Sequence, residues 1–93
     1  MKTVVITGSS RGLGYGLAAE FLRRGCRVVV SGSSEESTVK AVEALAATPD
    51  CEGKNILGKA CDVREKSQLR ALWQAAGEAF GSVDIWINNA GLG

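Results

Sequence analysis

The sequence predicts an α/β fold, a doubly wound parallel sheet built in the order β-α-β-α-β-α-β. Three observations predict it. Short apolar runs of strand length alternate with longer stretches whose apolar residues recur at helical spacing. The runs Val4-Val5-Ile6 and Val28-Val29-Val30 are β-branched and uninterrupted, which suits a sheet covered on both faces. Glycines punctuate the pattern, with Gly8 ending a strand run and Gly25 and Gly81 ending helical ones.

Strand one spans Lys2 to Thr7. Helix one runs from about Gly12 to Arg24, with Leu13, Leu17 and Phe21 four residues apart and Ala18 and Leu22 beside them as its apolar face. Arg23 and Arg24 suit the negative end of its dipole. Strand two spans Arg27 to Ser31. Ser33 and Glu36 have the spacing of a capping box, so helix two starts near Ser34. Val39, Val42, Leu45 and Ala46 make its inner face, and Thr48-Pro49-Asp50 ends it. Residues 50–55 read as a polar loop. Strand three spans Ile56 to Cys61, interrupted by Gly58. Helix three covers Lys66 to Phe80, carried by Leu69, Leu72, Trp73, Ala76 and Phe80. Strand four spans Val83 to Ile87 and runs into Asn88-Asn89-Ala90-Gly91. Right-handed crossovers give the strand order 3-2-1-4, with the topological switch between strands one and four. A ligand belongs at the carboxyl ends there, beside Gly8–Gly14 and Asn88–Gly91.

Residues 1–93 make one small domain. The formal net charge is +1, with no basic stripe or aromatic-interleaved Lys/Arg cluster, so a nucleic-acid partner is not expected. The longest apolar runs are of strand length, too short for a membrane span. The chain enters strand one directly, with no visible targeting segment. Cys26, Cys51 and Cys61 are odd in number and lack C-x-x-C spacing, and the chain has no histidine. Free thiols in a reducing compartment are expected, with Cys26 and Cys61 as small core residues and no metal site. The cytoplasm is the expected compartment, or a plastid if a transit segment has been removed.

The stretch that carries chemistry is Thr7-Gly8-Ser9-Ser10-Arg11-Gly12-Leu13-Gly14. Strand, glycine turn and helix start together make a phosphate site: glycines admit close approach, and the helix start offers unpaired N–H groups and a positive dipole end. Larger side chains at Gly12 or Gly14 would push phosphates away. The alternative is a glycine turn that only packs a helix on a sheet. At the end of strand two the chain reads Ser31-Gly32-Ser33-Ser34, with no carboxylate where an NAD site commonly binds the ribose 2′-hydroxyl. A 2′-phosphate meets no repulsion there. Arg11 could reach it, and Ser31 or Ser33 could donate hydroxyls. The cofactor expected is therefore NADP, with NAD the lesser alternative. Asp62 could accept from an adenine amino group, with Val63 against the ring; taken alone, Asp62 reads as a cap or turn residue. Asn88 and Asn89 can tie neighbouring strands, and Ala90 and Gly91 are small enough for a ribose to lie on the backbone.

T-G-x-x-x-G-x-G at Thr7–Gly14, Asp62-Val63 and Asn88-Asn89-Ala90-Gly91 together resemble the short-chain dehydrogenase/reductase family over essentially the whole chain. Trp86 in Asp84-Ile85-Trp86-Ile87 resembles the chlorophyll b reductase branch. The resemblance implies a Rossmann-type cofactor domain, incomplete relative to the family. It assigns cofactor contacts to Gly8, Ser10, Arg11, Gly12, Leu13, Gly14, Ser31, Ser33, Asp62, Val63, Asn89, Ala90 and Gly91. It also implies an oxidoreductase that moves hydride between a nicotinamide and a small carbonyl or alcohol substrate, in a homo-oligomeric parent. The family's Tyr-x-x-x-Lys pair, Ser and further Asn lie downstream of N-N-A-G, and this chain ends two residues after that motif. Tyr15 is the only tyrosine and has Ala19 at plus four, so no catalytic residue is assigned. Two readings stay open: the cofactor half of a reductase, inactive alone, or a stand-alone nucleotide-binding module.

Overall fold

A computed structural model describes residues 1–90 of the chain. The elements are β1 (Thr3–Thr7), α1 (Gly12–Arg23), β2 (Arg27–Ser31), α2 (Glu35–Ala46), β3 (Ile56–Gly58), α3 (Lys66–Phe80) and β4 (Ile85–Asn88). The strands form a parallel sheet in the order β3-β2-β1-β4, the order the sequence predicts.

Strand alternation divides the core between the two faces. Val4, Ile6, Val28 and Val30 face α1 and α2, packing with Ala18, Leu22, Ala41, Leu45 and Cys51. Val5 and Val29 face α3, packing with Cys61, Leu72 and Ala76. β1 is central and all five of its residues are buried. Covering both faces is what makes an unbroken β-branched run affordable in water.

The helix faces differ from the periodic reading. Leu13 is 71% exposed, Trp73 54% and Val39 48%, and Ala46 is also exposed. The buried faces are Gly14, Ala18, Ala19 and Leu22 on α1, Thr38, Ala41 and Leu45 on α2, and Leu72 and Ala76 on α3. Each buried face joins small residues to one leucine, Leu22, Leu45 or Leu72, while Leu13, Val39 and Trp73 stay exposed. The box at Ser33 and Glu36 is shifted by one residue. Ser34 is the N-cap of α2, its hydroxyl accepting from the Ser37 N–H at 3.2 Å. The segment read as a polar loop buries Cys51 and holds a 3₁₀ turn at Gly53–Asn55. β3 ends at Gly58 rather than Cys61, yet the N–H groups of Lys59 and Cys61 still donate to the carbonyls of Val30 (3.0 Å) and Gly32 (2.9 Å). β4 starts two residues later than predicted and includes Asn88.

Candidate cofactor site

The site lies at the carboxyl ends of β1, β2 and β4. β1 ends at Thr7, whose hydroxyl accepts from the N–H groups of Asn89 (3.1 Å) and Ala90 (3.2 Å). One buried threonine thus seats the segment after β4 over the end of β1. The turn after Thr7 is held from below by Ser9, which is completely buried. Its hydroxyl donates to the Ile6 carbonyl at 2.7 Å and accepts from the Ser31 N–H at 2.8 Å, while its own N–H donates to the Ser31 carbonyl at 2.9 Å.

Gly8 and Gly12 have left-handed backbones, with φ of 65° and 63°. A Cβ at Gly8 would lie 2.8 Å from the Ala90 Cα. Among the described residues nothing lies within 4 Å of a Cβ at Gly12, so the space over the turn stays open. Gly14 has a different task. It is buried, and a Cβ there would strike the Gly8 carbonyl oxygen and come within 2.6 Å of Asn89 Nδ2. Its smallness brings α1 down onto the turn, a packing role beside the phosphate approach expected for it.

α1 and α2 begin in opposite ways. α2 has the Ser34 cap and Glu35 and Glu36 in its first turn. Among the described residues α1 has no side-chain cap and no acidic residue in its first turn. Its first N–H groups and dipole are therefore left for an anion.

Gly8, Ser10, Arg11, Ser33, Asp62, Val63 and Ala90 converge on one cleft of about 490 Å³, with Cys61 and Arg64. Of the other residues expected at the site, Gly12 and Leu13 are exposed in the first turn of α1. Asn89 is tied to the turn, its Nδ2 donating to the Gly8 carbonyl at 2.9 Å. Asn88 pairs with Thr7 through the strand backbone, while its side-chain Oδ1 accepts from Trp86 Nε1 of its own strand at 2.7 Å. Ser31 departs from expectation: it is 1% exposed, and among the described residues its hydroxyl has no partner. Alternation turns it to the same face as Val29, the face covered by α3. Gly91 lies outside the described residues.

Arg64 and Cys61 were not expected here. Arg64 grips Asp62 through Nε and Nη2, both at 3.0 Å, and its N–H donates to the same carboxylate. This guanidinium holds the Asp62 carboxyl below the usual carboxylate range. The i, i+2 spacing of Asp62 and Arg64 is the only signal the sequence carried. Burial, helped by Asp62, pushes the Cys61 thiol up, so it is protonated at neutral pH and unreactive. A second hollow of about 340 Å³ lies between α2 and the end of β3. Its lining includes Glu35 and Glu43 beside Lys59, a poor setting for a phosphate.

The family model for short chain dehydrogenases matches residues 2–93. The chain belongs to the short-chain dehydrogenase family. It is 43% identical over 88 residues to a chloroplastic chlorophyll(ide) b reductase of Oryza sativa subsp. japonica, covering 95% of this chain and 25% of that protein. Among solved structures, glucose dehydrogenase of Caenorhabditis elegans superposes with a TM-score of 0.89 at 29% identity, over 99% of this chain and 38% of that one. An actinorhodin polyketide ketoreductase solved with NADPH superposes with a TM-score of 0.86 at 32% identity, over 97% of this chain and 33% of that one. The chain thus spans about a quarter of the curated relative and over a third of the glucose dehydrogenase. Members of this family are dehydrogenases and reductases that use NAD(P). Among the described residues no helix is long and apolar enough to cross a membrane, and no cluster of His, Cys, Asp or Glu could hold a metal ion.

Proposed function

We propose that residues 1–93 are the NADP(H)-binding domain of an oxidoreductase acting on a small-molecule carbonyl or alcohol. The observation that carries this is the uncapped start of α1 opening on a cleft at the switch between β1 and β4. The residues suit a dinucleotide. Gly8 and Gly12 hold a turn whose open side admits a pyrophosphate, and the N–H groups of α1 donate to it. Ala90 and Gly91 receive the ribose. Asp62 and Val63 receive the adenine, with Arg64 beside them. Arg11, Ser10 and Ser33 receive the 2′-phosphate, and no carboxylate stands at Gly32 to repel it. When bound, the nicotinamide supplies or accepts the hydride. Within these residues we assign cofactor binding and no proton donor.

The likeness to a ketoreductase solved with NADPH supports the choice of NADP. The likeness to a chlorophyll(ide) b reductase makes chlorophyllide b one compound to try. A homo-oligomeric parent in a reducing compartment belongs to the same reading; three unpaired thiols suit that compartment. Fluorescence titration of the full chain with NADPH and NADH tests it. NADPH is expected to bind more tightly, and Arg11→Ala to narrow the gap. A clear preference for NADH overturns the assignment.

A further inference from the structure

We infer that Ser10 and Gly32 form a steric pair that sets the cofactor class, by barring any side chain from the end of β2. The inference rests on the dinucleotide reading and deepens it. Absence of a carboxylate at position 32 would by itself mean only absence of repulsion. The geometry adds that a carboxylate has no room.

Gly32 is not required by its backbone. The left-handed glycines are Gly8, Gly12, Gly25 and Gly81, and Gly32 is not among them. Any L-residue could adopt its conformation, so the constraint is one of space. A Cβ at Gly32 would lie 2.7 Å from Ser10 Oγ, 2.8 Å from Ser10 Cβ and 2.9 Å from Ser37 Oγ. The two hydroxyls can rotate away. The Cβ of Ser10 moves only with the turn that carries it.

Neither side of this contact can retreat freely. The Gly32 N–H donates to Thr38 Oγ1 at 3.0 Å, and its carbonyl accepts from the Cys61 N–H at 2.9 Å. These bonds fix it to α2 and to the segment after β3. The turn is held by the three buried Ser9 bonds, whose donors and acceptors would be left unsatisfied if it shifted. An acidic side chain at position 32 would therefore displace Ser10 and, with it, neighbouring Arg11 and the phosphate turn. In the native arrangement Ser10 and Ser33 flank Gly32 and line the cleft with Arg11. Two hydroxyls and a guanidinium suit a phosphate monoester and offer nothing to a bare 2′-hydroxyl that a carboxylate would not offer better.

The test is a double-mutant cycle in the full chain, read in two ways. Without cofactor, Gly32→Ala is expected to lower the denaturation midpoint in the Ser10 background and to do so far less beside Ser10→Gly. With cofactor, Gly32→Asp alone is expected to weaken both NADPH and NADH. Ser10→Gly with Gly32→Asp is expected to bind NADH at least about tenfold more tightly than Gly32→Asp alone, with NADPH still weak. Additive stabilities, or a Gly32→Asp single variant that binds NADH as well as the double variant, overturn the pairing while leaving wild-type binding intact. A wild-type chain that binds neither dinucleotide overturns the functional reading itself, and the pairing's role in cofactor choice with it.

Discussion

Three glycines within the turn perform three different tasks. Gly8 and Gly12 supply left-handed backbone, Gly8 also clears Ala90, and Gly14 lets α1 settle on the turn. Substitutions should separate them. Gly14→Ala puts a methyl against the Gly8 carbonyl and Asn89 in a buried place, an overpacking cost of about 1–3 kcal/mol by denaturant unfolding. Gly12→Val costs the left-handed conformation, about 1–2 kcal/mol, and its Cβ meets no neighbour among the described residues. It should leave far-UV circular dichroism nearly unchanged and abolish nucleotide binding. Unchanged affinity would mean that the turn only packs a helix. Cys61 yields a pH prediction. Its folded pKa is raised, so its contribution to stability is complete below the unfolded thiol value, about 8.5, and is lost as pH rises beyond it. Wild type should lose more stability than Cys61→Ala between neutral pH and alkaline pH.

At the scale of elements, the contrast between helix starts is the organising fact. α2 is closed by its own residues; α1 is left open toward the cleft. Ser33 and Ser34 are adjacent and should be functionally distinct. Ser34→Ala removes the cap and should cost about 1 kcal/mol in thermal or denaturant unfolding. Ser33→Ala, exposed and lining the cleft, should leave stability unchanged and weaken NADPH relative to NADH. The reverse outcome would place the cap at Ser33 and remove it from the cofactor site. α3 has its own division. Leu72 is completely buried and Trp73 is half exposed, so Leu72→Ala should cost about 2–5 kcal/mol and Trp73→Ala much less.

Over the whole molecule, the sheet is asymmetric in its protection. Among the described residues β4 pairs with β1 alone, leaving its other edge open. Trp86 on this strand stacks on Trp73, ring centroids 6.0 Å apart, at the margin of the α3 face. Asp84, the charge just before this strand, does not guard the edge: its carboxylate accepts from the Thr3 N–H at 2.8 Å. An apolar, unguarded edge attracts other strands. Residues 1–93 expressed alone should therefore self-associate, seen as a sedimentation coefficient that rises across a concentration series, with or without NADPH. A monomer with a cooperative melt at dilute concentration would refute this.

The sequence by itself determined the order of elements, the bounds of β2 and α3, and the place of the cleft. Those features rest on local signals: unbroken β-branched runs, helical periodicity and a glycine turn between strand and helix. Strand order followed from the general rules for parallel crossovers. Tertiary structure alone decided which helix faces are buried. Leu13, Val39 and Trp73 fit the helical period yet stay exposed, because the sheet meets Ala18 and Leu22, Ala41 and Leu45, and Leu72 and Ala76 instead. It also decided that Ser31 points inward, that Arg64 grips Asp62, and that Gly14 serves packing. The physical reason is distance along the chain. Asn89 meets Gly8 across 81 residues, Thr7 meets Ala90 across 83, and Ser31 meets Ser9 across 22. No local pattern records such pairings; they exist only once the sheet has brought its strand ends together.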